Sequence, residues 1–249
     1  MGAEITGTKW LRELRGVPGP RAVLVCFPPG GGSAVAYRAL AGRIGGAVAV
    51  FAVQYPGRQD RLGEPMITDL AALGEEVARD LAVGQTPLAL FGHSMGATVA
   101  FETARRLQTR GRDPIHLFVS GRIAPDAPYE GRLHEGSDAE LIDELERLAN
   151  DPASVAVLRS EPTLAEIVLP AVRGDYRAVE TYAFQPGEPL RCNVSGLVGD
   201  EDPTVTPDRM REWQRHTTGE FDLTVFSGRH FYLDENPGAV ADLVNARLA

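Results

Sequence analysis

The sequence predicts an α/β fold: a mostly parallel β-sheet flanked by helices, with a helical lid inserted after the strand near 115–121. Three observations carry this. Short, continuously apolar runs alternate with longer amphipathic segments, the pattern of strands covered on both faces by crossover helices. The 249 residues, 43% hydrophobic and 24% charged, suffice for one large core. The alternation then lapses between "IHLFVSG" and "LRCNVSGLVG", where only helical patterns occur. No internal repeat or low-complexity linker divides the chain, so 1–249 reads as a single domain with its insertion at about 123–187.

Each element has its own signal. Strands are expected at "RAVLVCFP" (21–28), "AVAVFAVQY" (47–55), "PLALFG" (87–92), "IHLFVSG" (115–121), "LRCNVSGLVG" (190–199) and "FDLTVFSG" (221–228), all rich in Val, Leu and Phe. Helices are expected at about 69–82, 95–110, 207–217 and 237–247. Within the insertion, "SDAELIDELERLA" (137–149) offers Ser137 and Glu140 as a capping box. Leu141, Ile142, Leu145, Leu148 and Ala149 share one face of that helix. A second helix starts near Pro162, a good first-turn residue. It carries Leu164, Ile167, Val168, Ala171, Val172, Tyr176 and Val179 at helical spacing, with Pro170 expected to kink it. An insertion at this point lies over the carboxyl edge of the sheet, where such folds bind ligands.

Charge and composition exclude several classes. A net charge of −9 argues against nucleic-acid binding, which needs a basic face. Lys9 is the sole lysine. No apolar run approaches a membrane span. "MGAEITGTKW" lacks a signal-peptide pattern, although Gly2 and Thr6 match the short motif for N-myristoylation. Cys26 and Cys192 sit in apolar strand-like segments and read as buried free thiols, with no metal site or disulfide framework. A reducing, cytoplasmic setting and a monomer are expected.

The chemistry centres on Gly92-His93-Ser94-Met95-Gly96, a G-x-S-x-G pattern with "LALF" before it and "ATVAFETARRL" after it. A serine on a sharp strand-to-helix turn projects its hydroxyl above the sheet, and the glycines let neighbouring elements close in. A nucleophilic serine needs a base, and the base needs an orienting carboxylate, here in the order serine, acid, histidine. Of five histidines, His93 adjoins Ser94 and should point away, His116 lies within a strand, His134 falls in the insertion and His216 ends a helix. His230, after the final strand in "FSGRHFYL", has the order and setting of a general base. The acid falls in "GLVGDEDPTVTP": Asp202, held extended by the following proline, with Asp200 as the alternative. The oxyanion requires backbone N–H donors. Met95 supplies one; in "FPPGGGS" the prolines have none to give, so Gly30 is the first available. That glycine loop lacks the G-K-[ST] and G-x-G-x-x-G patterns of phosphate sites.

These residues sit among further motifs: "CFPPGGGSAVAYRAL", "QYPGRQDR", "LFGHSMGATVAFETARRL", "VSGRIAPDAP", "RGDYRAVETY", "GDEDPTVTP", Trp213 followed by "HTTG", and "GRHFYL". Together, and in this order, they resemble the type II thioesterases of polyketide and nonribosomal peptide synthesis, members of the α/β-hydrolase superfamily. That family more often has His-Ala where this chain has Pro29-Gly30. The resemblance implies an editing hydrolase that clears stalled or wrong acyl groups from the phosphopantetheine arm of acyl or peptidyl carrier proteins. Ser94 would be the nucleophile, His230 the base and Asp202 its orienter, with no metal or bound cofactor. Leu141, Leu145, Ile167, Val168 and Tyr176 are then candidates to line the acyl site. Arg58 and Arg61, in "YPGRQDRL", are candidates for carrier docking. A small-molecule carboxylesterase or an acyltransferase would use the same triad, and a non-catalytic module would keep the fold alone.

Overall fold

The computed structural model describes residues 8–249, so the Gly2–Thr6 motif lies outside the described residues. In chain order the elements are β1 (Leu11–Arg15), β2 (Ala22–Phe27), α1 (Arg38–Ala41), β3 (Val48–Val53), α2 (Leu70–Leu81), β4 (Leu88–His93), α3 (Met95–Thr109), β5 (His116–Ser120), α4 (Asp138–Leu148), α5 (Pro152–Ser160), α6 (Pro162–Glu180), β6 (Asn193–Gly199), α7 (Pro207–Arg211), β7 (Phe221–Phe226), α8 (Tyr232–Glu235) and α9 (Pro237–Arg247). The seven strands form one sheet in the order β1-β3-β2-β4-β5-β6-β7. Every pairing is parallel except β1 on β3.

Strand alternation builds two core layers. Val23, Val25 and Phe27 of β2 join the layer packed under α2 and α3. Ala22, Leu24 and Cys26 of the same strand face the layer that includes Leu40 of α1 and Val240 and Val244 of α9. Strands β2, β3 and β4 are buried at every position, which is why they read as continuous apolar runs. The edge strand β1 escaped the sequence reading because "LRELR" alternates apolar with charged residues, and only Leu11 is fully buried. Charge along an exposed edge discourages pairing with other chains.

Helix ends follow their sequence signals. Asp69 caps α2 by accepting from the Ala72 amide at 2.9 Å. Ser137 and Glu140 form the expected capping box on α4. Helix α6 spans Pro162–Glu180 with Pro170 inside it. The segment 207–217 is shorter in α-helix than expected: α7 ends at Arg211 and a tighter 3₁₀ turn carries Glu212–His216. Helix α5, capped by Asp151 and opened by Pro152, was not foreseen.

Helices α4, α5 and α6 are all inserted between β5 and β6, and they own a small apolar cluster of Leu141, Ile142, Leu158, Leu169 and Val172. Both cysteines are buried and unpaired. Burial raises both thiols, Cys192 to about 12. No described helix is long and apolar enough to cross a membrane.

Candidate active site

Strand β4 delivers Ser94 at the carboxyl edge of the sheet, immediately before α3. Ser94 has φ 54° and ψ −123°, a left-handed conformation that costs a non-glycine residue about 1–3 kcal/mol. The surroundings impose it. The Ser94 amide donates to the Ser120 carbonyl at 2.8 Å. A Cβ on Gly92 would collide with the Gly96 carbonyl, and one on Gly96 with the Phe27 carbonyl. Both glycines of the motif are therefore demanded by close approach of backbone. Met95, the first residue of α3, has no carbonyl one turn earlier within its helix for its N–H to bond.

His230 and Asp202 meet from the two loops that follow β7 and β6. His230 Nδ1 lies 2.9 Å from Asp202 Oδ2, and both side chains are buried. Asp202 Oδ1 accepts from the Thr204 amide at 2.8 Å and the Thr204 hydroxyl at 2.7 Å. Burial pushes the Asp202 carboxyl up, but the bonds from His230 and Thr204 outweigh it and hold the pKa below its ordinary value. An ionised, acceptor-only Asp202 fixes the imidazole through Nδ1 and leaves Nε2 for other partners. Asp200 does different work: its Oδ1 accepts from the Gly228 amide at 2.9 Å and closes the turn. Gly121 (φ 59°) makes room for the pair, because a Cβ there would lie 2.8 Å from His93 Cε1 and 3.3 Å from Asp202 Oδ2.

The other histidines bond to side chains of their own. His93 turns inward, as expected, but it is not remote: its ring packs 4.8 Å from that of His230. Its Nδ1 is 2.9 Å from Ser120 Oγ, which in turn lies 2.6 Å from Tyr232 Oη. Burial, with His230 beside it, pushes the His93 pKa well down, so it forms a neutral shelf under His230. His116 contacts Ser195 Oγ, His134 pairs with Glu180 and His216 with Asp126.

Gly30, Ser94, Met95 and His230 line one cavity of about 80 Å3. Its floor at the glycine loop is tightly held. Gly31 N–H donates to Asp175 Oδ2 at 2.7 Å, and Gly32 N–H to the Pro29 carbonyl at 3.0 Å. Of the acyl-site candidates, Leu145 and Tyr176 line this cavity. Leu141, fully buried, belongs instead to the insertion's own cluster, and Val168 packs against that cluster. Ile167 is 49% exposed on the outer surface. Arg58 and Arg61 are not free docking cations. Arg58 is buried and forked onto Asp175 of α6, with Nη1–Oδ2 at 2.5 Å and Nη2–Oδ1 at 2.8 Å. Arg61 is buried over the Trp10 ring and pairs with Glu64 at 2.8 Å. Asp60, which lies between them in the sequence, binds Arg12. Sequence reasoning missed Asp175 and Thr204. Both lie in quoted motifs, "RGDYRAVETY" and "GDEDPTVTP", but pairing across 117 residues leaves no periodic trace. Among the described residues no cluster of His, Cys, Asp or Glu is arranged to hold a metal.

The sheet order, the serine turn between strand and helix, and the helices inserted after β5 define the α/β-hydrolase fold. The Thioesterase domain family model matches residues 22–248, and the chain belongs to that family of hydrolases acting on thioesters. The chain is 41% identical over 229 residues to Thioesterase PikA5 of Streptomyces venezuelae, covering 91% of this chain and 80% of that protein. It superimposes on the type II thioesterase BorB from the borrelidin biosynthetic cluster with a TM-score of 0.88 and 41% identity, over 99% of this chain and 100% of BorB. RedJ, the thioesterase of the prodiginine pathway in Streptomyces coelicolor, gives 0.84 at 35% identity, over 92% and 86% of the two chains.

Proposed function

We propose that this chain is an editing, type II thioesterase that hydrolyses acyl groups from the phosphopantetheine arm of acyl or peptidyl carrier proteins, with Ser94, His230 and Asp202 as its triad. The observation that carries the reading is a strained Ser94 sharing one cavity with an imidazole whose far nitrogen is held by a buried carboxylate. Ser94 Oγ attacks the thioester carbonyl while His230 takes its proton. The Met95 and Gly30 amides receive the oxyanion. Collapse expels the thiol of the arm, protonated by His230, and leaves an acyl-serine. Water, deprotonated by His230, then attacks the acyl-serine; the acid departs and Ser94 regains its proton.

The inserted helices act as a lid over this cavity, with Leu145 and Tyr176 facing the acyl group. The enzyme works as a monomer whose partner brings the arm. The test is thiol release from an acyl-loaded carrier protein beside the matching acyl ester of a small alcohol. Rapid release from the carrier that falls by about 10³-fold or more in Ser94→Ala supports the proposal. Turnover of the ester alone would retain hydrolase chemistry and remove the carrier from the account.

A further inference from the structure

Beside the cavity at Ser94 lies a second chamber of about 280 Å3. The two share Arg122, Ile123, Tyr129 and Val179 as walls. Thr98 and Ala124, each 1% exposed, line its buried side. Thr98 is four residues beyond Ser94, on the same side of α3 and about 6 Å further along its axis. The chamber thus lies beside the point where an acyl chain leaves its carbonyl, with Thr98 and Ala124 on its buried side and Asp126, Pro128 and Tyr129 on its exposed side.

Two polar atoms of this chamber's lining residues are buried without a protein partner: Thr98 Oγ1 and Arg122 Nε. A helical threonine commonly bonds back to the carbonyl one turn earlier, as Thr103 Oγ1 does to Val99 at 2.8 Å. Thr98 does not. Arg122 is anchored through its backbone, whose carbonyl accepts from Trp213 Nε1 at 2.7 Å, and its guanidinium carbon sits 4.7 Å above the Tyr129 ring. The acidic neighbours are engaged elsewhere: Glu144 with Arg147, and Asp126 with Arg215 and His216. Buried donors are ordinarily matched by acceptors. A chamber walled by two unmatched donors suits an occupant that carries oxygen.

We propose that this chamber holds the body of the acyl group, and that Thr98 and Arg122 select chains bearing an acceptor oxygen (keto, hydroxyl or carboxylate) a few carbons from the thioester. This rests on the thioesterase reading of Ser94. Amide oxygens of the pantetheine arm share the same chemistry, but the arm must run outward to a folded carrier, whereas Thr98 lies on the buried side of the chamber.

The experiment compares kcat/KM for hexanoyl, β-oxohexanoyl, δ-oxohexanoyl and glutaryl thioesters of N-acetylcysteamine. An oxygenated chain is expected to exceed hexanoyl by about tenfold. Thr98→Val and Arg122→Leu each bring that ratio toward one, while Thr98→Ser keeps it. Preference for glutaryl alone identifies a carboxylate; preference for an oxo chain identifies a neutral oxygen. Ratios near one in the wild type, with all four thioesters hydrolysed, overturn the selection and leave the thioesterase intact. If none is hydrolysed, the functional reading falls, and calorimetric affinities of Ser94→Ala for the same four compounds still decide the chamber. If the variants instead lose discrimination between N-acetylcysteamine and plain ethanethiol as leaving groups, the chamber serves the arm and the proposal is overturned.

Discussion

At the scale of single residues, the site depends on which carboxylate reaches the imidazole. Asp202 bonds His230 Nδ1, whereas Asp200 bonds a backbone amide. Asp202→Asn is expected to lower kcat by about 10⁴, since an amide favours the wrong imidazole tautomer. Asp200→Asn should change kcat by no more than about threefold, because it retains an acceptor for Gly228. Steady-state kinetics on one short acyl thioester distinguish the two, and equal losses would place the acid elsewhere. That Ser94 and His230 share one cavity, and that Asp202 rather than Asp200 bonds the imidazole, follows the order and turn chemistry of the sequence. Thr204 and Gly121 were not legible there. Their importance comes from distances to His230, His93 and Asp202 that exist only after the loops following β5, β6 and β7 converge.

At the scale of elements, α6 is a strut as well as a wall. Through Asp175 it holds the Gly31 amide and the Arg58 guanidinium together, and Arg58 also reaches the Gly32 carbonyl at 3.2 Å. The inserted helices are thereby tied to the loop that carries Gly30. Removing one member of a buried pair leaves the other charge uncompensated. Arg58→Met is therefore expected to destabilise the fold by about 3–5 kcal/mol in urea titration. The double variant Arg58→Met/Asp175→Leu should cost less than the sum of the single changes; strict additivity would mean the pair is not coupled. The apolar strands and the long amphipathic helices could be read in advance, since period and burial are local. Arg58 and Arg61 were misread as surface charges because arginine in a polar loop ordinarily faces water, and only the fold reveals a buried carboxylate to receive one of them. Leu141 was misassigned to the acyl site for a similar reason: helical spacing marks an apolar face, but not whether that face meets a ligand or another helix.

Across the whole molecule, buried histidines set the response to acid. Burial keeps His93 neutral in the folded chain and lowers His116 to about 4. The Asp222 carboxylate near His116 works against that shift and Arg247 with it. In the unfolded chain both titrate near the ordinary value of about 6.5. Below that pH the unfolded state binds protons that the folded state refuses. Stability should therefore fall on acidification by about 1.4 kcal/mol per pH unit for each histidine. The His116 contribution levels off near pH 4. Asp202, whose pKa is lowered, adds a further loss only below the ordinary carboxylate range, about pH 4. Burial lowers His216 as well, so unfolding free energies measured from pH 7.5 to 5 check this, and His116→Gln is expected to remove less than half of the slope. A slope unchanged in that variant would assign the acid sensitivity to other groups.

The two cysteines bear on how such an enzyme is assayed. A disulfide reagent that colours on meeting a thiolate needs both access and ionisation. Cys26 and Cys192 are buried, with pKa values raised by that burial. The folded protein should thus be silent toward the reagent. Colour in a turnover experiment then counts liberated substrate thiol alone, and a slow rise without substrate reports the fraction of chains that have opened.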